Sequence, residues 1–154
     1  MKLQPLLLIV AITASVAALA APDKTRYFVR DRSIERSPLP FSEAVLTGNT
    51  LYVAGHIGID PKTDRAPQDA GLEAKLVMDA VKSTIESAGL TLDNLTTVTV
   101  YCTDLGLYDT FNAVYKTYFQ VNFPARAFVG VSQLLRGAHF EVQGIAVKPG
   151  KPRT

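Results

Sequence analysis

One cysteine, two histidines and no run of lysine or arginine: each scarcity in this chain closes a class of function. A single thiol, Cys102, allows neither an intrachain disulfide nor a cysteine-built zinc site. It sits in the alternating run Thr97-Val98-Thr99-Val100-Tyr101-Cys102, where a buried inert thiol and a nucleophile are the two readings, the first favoured by its apolar surroundings. His56 and His139 stand too far apart to suggest a metal site. The formal net charge is only +2 over 154 residues, too weak for a phosphate-binding surface, so neither nucleic acid nor an anionic membrane is implied. Repeats, low-complexity tracts and internal linkers are also missing. What remains is 47% hydrophobic and 19% charged, the balance of one ordinary domain with a real core.

The N-terminus reads as a separate object. Lys2 supplies a positive charge, residues 6–16 are apolar apart from Thr13 and Ser15, and Ala18-Leu19-Ala20 offers small residues where a signal peptidase reads. Residues 1–20 are therefore expected to be a signal peptide cleaved after Ala20, with residues 21–39 an N-terminal extension, 40–148 the folded domain and 149–154 a tail. An uncleaved anchor is the alternative, although the apolar stretch falls short of the ~18 residues a membrane span needs. Cleavage would place the mature protein in the periplasm or outside the cell, unattached to membrane.

Within the domain, residues 44–47 and 51–55 flank Gly48-Asn49 and predict a hairpin, with a further short strand at 26–29. Leu72, Leu76, Ala80 and Thr84, with Val77, Val81 and Ile85 beside them, predict a helix over 71–87, stopped by Ala88-Gly89. Residues 97–102 alternate as a strand. Asp109-Thr110 offers a cap for a second helix carrying Phe111, Val114, Tyr115, Tyr118 and Phe119, aromatics expected to be core rather than an RNA-stacking platform. Strands at 126–133 and 139–147 follow. Two amphipathic helices and one sheet make an α+β two-layer domain with both helices on one face. The last strands are apolar at both parities, so the uncovered face is expected to pack against other copies in a homo-oligomer.

Arg126 is the residue that asks a question. It opens the apolar run Ala127-Phe128-Val129-Gly130-Val131, and buried strands seldom carry an unpaired guanidinium. A planar carboxylate best fits its donor fork, either a structural partner such as Glu141 or one brought by a ligand. If the last two strands form a hairpin turning near Arg136-Gly137, Arg126 pairs near Ala146 and Glu141 near Val131. The two side chains then face opposite sides of the sheet; one intrachain pocket would not hold both easily, and a site made by two subunits could. His56, after Gly55 at a strand end, is either a hydrogen-bond or proton donor to a ligand or a solvated residue, and His139 is expected to be exposed.

Over residues 40–147 the chain resembles the reactive intermediate deaminases, the RidA or YjgF family. The motifs are Val53-Ala54-Gly55-His56-Ile57-Gly58, Ala88-Gly89-Leu90, Val100-Tyr101-Cys102-Thr103-Asp104-Leu105, Phe111-Asn112-Ala113-Val114-Tyr115, Phe123-Pro124-Ala125-Arg126 and Glu141-Val142-Gln143-Gly144-Ile145-Ala146. The resemblance implies a chorismate-mutase-like fold, a homotrimer with ligand clefts between subunits, and no metal or organic cofactor. It implies hydrolysis of 2-imino acids and their enamine tautomers to 2-keto acids and ammonia. Arg126 would then hold the substrate carboxylate, Glu141 position the attacking water and Asn112 line the cleft.

This chain departs from the family pattern at the cleft. Ala54 replaces a common serine, His56 a glutamine, Phe41 a tyrosine and Phe128 a cysteine. Those positions, with Gly55, are expected to line a more apolar substrate site. Two alternatives to catalysis stay open: a trimer that binds small carboxylates without turnover, and a holdase-like surface of the kind credited to some family members. RNA cleavage, also described for some members, is disfavoured by the near-neutral charge.

Overall fold

The computed structural model describes residues 25–28, 40–120 and 122–150. The expected signal peptide, most of the extension and residues 151–154 lie outside the described residues. Strand β1 (Arg26–Phe28) pairs with β2 (Ala44–Thr47), which turns into β3 (Thr50–Ile57) with Thr47 opposite Thr50. Gly48 takes the first central position of that turn at φ 57°, a conformation that suits a residue without Cβ.

Helix α1 (Ala70–Ser87) is capped by Asp69, whose side chain accepts from the N–H groups of Gly71 at 2.8 Å and Leu72 at 3.0 Å. It ends as the sequence predicts. Gly89 sits at φ 76°, and the N–H of Leu90 reaches back to the carbonyl of Ile85 at 3.2 Å. The buried stripe, however, is centred one residue away from the predicted row. Glu73, Ala74, Val77, Met78, Val81, Thr84 and Ile85 face the sheet, while Leu72 is 49% exposed. A row at strict fours drifts around a helix of 3.6 residues per turn, so its first member leaves the face its last member shares.

Strand β4 (Leu95–Cys102) leads through a 3₁₀ turn (Leu105–Leu107) into α2 (Tyr108–Tyr115), then to β5 (Ala125–Gly130) and β6 (Phe140–Val147). The expected cap at Asp109-Thr110 is corrected. Asp104 starts the turn by accepting from the N–H of Gly106 at 2.8 Å, and the turn winds directly into the helix.

The sheet order is β1-β2-β3-β6-β4-β5. β4 and β5 run parallel with α2 as their crossover; every other pairing is antiparallel. The predicted β5–β6 hairpin does not form. A parallel crossover sends β5 to the sheet edge, and β6 returns between β3 and β4, antiparallel to both. Nor is β5 a buried strand within the protomer: Ala125, Ala127, Val129 and Gly130 are exposed, and only Arg126 and Phe128 are half-buried.

Both helices cover one face of this mixed sheet. Leu51, Val53, Val98, Val100, Phe140, Val142 and Ala146 pack there against Val77, Val81 and Ile85 of α1 and Phe111 of α2. Cys102 is buried in the same layer, its thiol 3.0 Å from the carbonyl of Asp104, and burial pushes its pKa up, which keeps it a neutral thiol. The opposite face carries Tyr52 and Val129 in the open. Among the described residues no helix is long and apolar enough to cross a membrane.

Candidate active site

Tyr108, Asn112 and Tyr115 recur at intervals of four and three along α2 and so share one helical face. That face meets the helix-side residues of β5, Arg126 and Phe128. The Arg126 guanidinium donates to the Asn112 side-chain oxygen at 2.7 Å. Its central carbon lies 4.6 Å from the Tyr115 ring centroid, 5.7 Å from that of Phe128 and 5.8 Å from that of Tyr108. The rings brace one another: Tyr108 meets Phe128 edge-on at 5.0 Å, and Phe111 contacts both Phe128 and Tyr115. A guanidinium bounded by π faces is held electrostatically and sterically while keeping donors free.

No carboxylate compensates it. Among the described residues the ion pairs are Lys75–Asp79, Lys82–Glu86, Arg136–Asp64 and His139–Glu73, and Arg126 belongs to none. The structural pairing of Arg126 with Glu141 is therefore absent within the protomer. Beside the guanidinium, the Tyr115 hydroxyl is buried without a hydrogen-bond partner among the described residues. Burial pushes its pKa up to about 12 against the opposing pull of Arg126, so it remains a neutral donor.

Glu141 occupies the other face. Arg126 sits opposite Val98 on β4, Glu141 opposite Tyr101; these positions differ by an odd number, so the side chains project to opposite sides. The parity derived from a hairpin thus holds through a different strand pairing. Desolvation holds the Glu141 carboxyl above its ordinary 4.5, and no hydrogen bond or ion pair among the described residues offsets it. On the same open face the Tyr101 hydroxyl accepts from the Gln143 side-chain amide at 2.8 Å.

A β-bulge between Val53 and His56 decides what surrounds Glu141. Strict alternation from Val53 would turn Gly55 inward and His56 outward. The bulge reverses this: His56 is 5% exposed and pairs with the core residue Val142, whereas Gly55 faces outward. A Cβ at 55 would overlap the Glu141 carboxylate where it lies, so any side chain there would push that carboxylate aside. Ala54 is half-buried at the bulge, and Phe41, just before β2, is 51% exposed. The protomer therefore assembles Arg126, Asn112 and Phe128 on the helix side, Glu141 and Gly55 on the open side, and His56 in the interior.

Sequence reasoning missed the bulge, whose signal was Ala54-Gly55 inside an apolar strand. It treated Tyr115 as core, and Tyr115 is core, but its ring is also the nearest platform under Arg126. It also missed Glu73, a buried acid that engages His139, making that histidine half-buried rather than exposed. No group of three or more His, Cys, Asp or Glu among the described residues is arranged to hold a metal ion.

Known proteins share this fold. A family model described as endoribonuclease L-PSP matches residues 34–148. The 2-iminobutanoate/2-iminopropanoate deaminase of Rattus norvegicus is 38% identical over 109 residues, 70% of this chain and 80% of that one. The Escherichia coli K12 protein of the same name is 35% identical over 112 residues, 71% of this chain and 88% of that one. The chain belongs to the RidA/YjgF family. The solved E. coli YjgF structure superposes with a TM-score of 0.68 at 34% identity, covering 71% of this chain and 89% of that one. E. coli TdcF with bound serine gives 0.72 at 29% identity, covering 80% and 100%. Homologues at this distance carry the deaminase name, and this RidA member shares their single mixed sheet and helix pair.

Proposed function

We propose that this RidA-family protein hydrolyses small 2-imino acids and their enamine tautomers to 2-keto acids and ammonia. The observation that carries the reading is Arg126: a guanidinium oriented by Asn112 and aromatic faces, with no acidic partner among the described residues. A carboxylate-bearing guest supplies the missing charge, and the serine bound to TdcF is a small molecule of that class.

Glu141 is the second element. Because it lies across the sheet from Arg126, the reading joins the Arg126 of one subunit to the Glu141 of its neighbour in a homotrimer whose open faces pack together. Water adds to the carbon of the protonated imine as Glu141 takes one of its protons, giving a neutral carbinolamine. Glu141 returns that proton to the nitrogen, the C–N bond breaks as the carbinolamine hydroxyl becomes the carbonyl and passes its own proton back to Glu141, and the products are a 2-keto acid and ammonia. The raised Glu141 pKa suits a group that must both take and return a proton. Positioning by Arg126 supplies the rest, since an imine is already electrophilic. Asn112 holds the guanidinium, while Phe128, Phe41, Ala54 and Gly55 belong to the region that shapes the cleft; His56, turned into the interior by the bulge, is withdrawn from it. Cleavage of residues 1–20 as a signal peptide would put this activity in the periplasm or outside the cell.

The test is imine decay, with substrate generated in situ by an amino-acid oxidase and followed by trapping. Acceleration by the wild type and its loss in Arg126→Ala are expected; a wild type no faster than buffer defeats the reading. The replacement of family hydroxyl and thiol positions by Ala54, Phe41 and Phe128 favours a second reading, binding without turnover. Calorimetry detecting tight 2-keto-acid binding by a protein without hydrolysis would select it.

A further inference from the structure

Glu73 is an acid completely buried under the start of β6. Its Oε1 accepts the backbone N–H of His139 at 2.7 Å and of Phe140 at 2.8 Å, and its Oε2 lies 2.6 Å from His139 Nδ1. The next residue is Glu141. Two glycines of β3 and its exit close the assembly. A Cβ at Gly58 would overlap the backbone carbonyl oxygen of Glu73, and a Cβ at Gly55 would overlap the Glu141 carboxylate. Glu73 and Glu141 thus stand at one end of the sheet on opposite faces, linked through the peptide planes of residues 139 and 140.

α1 does not need this acid to begin, because Asp69 already caps it. An apolar residue at 73 would bury the same helix face without desolvating a carboxylate. What the carboxylate adds is direction. Two successive N–H groups converge on a single oxygen, which fixes both peptide planes and hence the direction in which the Glu141 side chain leaves β6.

We propose that Glu73 is a positioning residue for Glu141, clamping the first residues of β6 from the helix side so that the carboxylate on the open side keeps its aim. This rests on the reading of Glu141 as the group that positions water.

Steady-state kinetics of the full chain on 2-imino acids test it. Glu73→Gln keeps an acceptor oxygen for both N–H groups and should retain kcat within about threefold. Glu73→Asp withdraws that oxygen by one methylene; kcat should fall about tenfold to a hundredfold, the range a ~1 Å misplacement costs. KM should change less than about twofold, because Arg126 is untouched. A purely structural Glu73 would lower the melting temperature of Glu73→Asp but leave kcat of the folded protein unchanged, and that result overturns the role. If Glu73→Asp does not fold, Gly58→Ala presses on the Glu73 backbone carbonyl and Cγ, shifting the residue that carries the carboxylate, and should show the same split between kcat and KM; an unchanged kcat there is equally fatal. A wild type without turnover refutes the reading of the site and the clamp with it. An active wild type insensitive to both variants refutes the clamp alone.

Discussion

The two faces of the sheet are built from the same strands and obey different rules. On the helix face every large side chain has a neighbour, and the one cation there, Arg126, is fixed by rings and an amide. On the open face Tyr52 and Val129 project outward, and Glu141 sits half-buried with no compensating partner among the described residues. The helix face is closed by packing, although Arg126 has no acidic partner there among the described residues; the open face shows apolar surface beside an acid. If the proposed reading holds, a second protomer must bring the two groups together.

Arg126 should produce the largest break. Arg126→Ala removes the proposed carboxylate anchor and is expected to cost about 4 kcal/mol, roughly a thousandfold in kcat/KM, at the upper end for a charge-assisted contact. Arg126→Lys keeps the charge but loses the planar fork, so recovery should be small. Stopped-flow trapping of imines checks both, and equal rates for wild type and Arg126→Ala would erase the distinction between the faces.

Next comes Glu141→Gln, with kcat lowered about a hundredfold to a thousandfold at nearly constant KM. Burial raises this carboxyl above 4.5, so wild-type activity should climb with pH as the group ionises, along a limb displaced above the ordinary carboxylate range. The stability sign follows from the same shift. A raised folded-state pKa favours the fold fully below the unfolded value, and that support is lost as pH rises through the folded value. Glu141→Gln should therefore melt higher than wild type near neutral pH and no higher in acid. Calorimetric scans at both pH values decide it.

Tyr52→Arg addresses the open face directly. Tyr52 is 49% exposed in the protomer, so a charge there leaves the fold intact. If copies cover this face, the variant should weaken self-association by about 2 kcal/mol, roughly thirtyfold, and analytical ultracentrifugation would show lighter species at equal concentration. Unchanged sedimentation would mean the face is closed in another way or not at all.

The legibility of these faces was uneven. Helix and strand existence, the Gly48-Asn49 turn and the Gly89 stop were readable because each is a local property of a few residues. Strand neighbours were not: a loop between β5 and β6 looks like a hairpin until β4 competes for the same edge, and the sequence carries no local mark of that competition. Arg126 announced itself as a charge in an apolar strand, whereas its cage did not, since Tyr108, Asn112 and Tyr115 are ordinary residues until β5 lies beside them. Gly55 and His56 exchanged sides through one inserted residue, which period-two reasoning cannot foresee. Glu73 hid for the opposite reason. An acid at a core position looks like a solvent-facing residue unless its backbone partners, 66 and 67 positions away, are known.

The smallest expected effect separates the predicted stripe of α1 from the observed one. Leu72 leads the predicted apolar row yet is 49% exposed, while its neighbour Glu73 is fully buried. Leu72→Gln should change stability by less than about 0.5 kcal/mol, because it removes no packed contact and keeps a good helix former. Met78, absent from the predicted row and fully buried, sets the contrast: Met78→Ala opens a cavity and should cost about 2 to 5 kcal/mol. Urea midpoints of the two variants read the difference. A costly Leu72→Gln would mean that its side chain is covered in solution, which a single protomer does not provide; the exposed face of α1, rather than the open face of the sheet, would then be where another molecule sits.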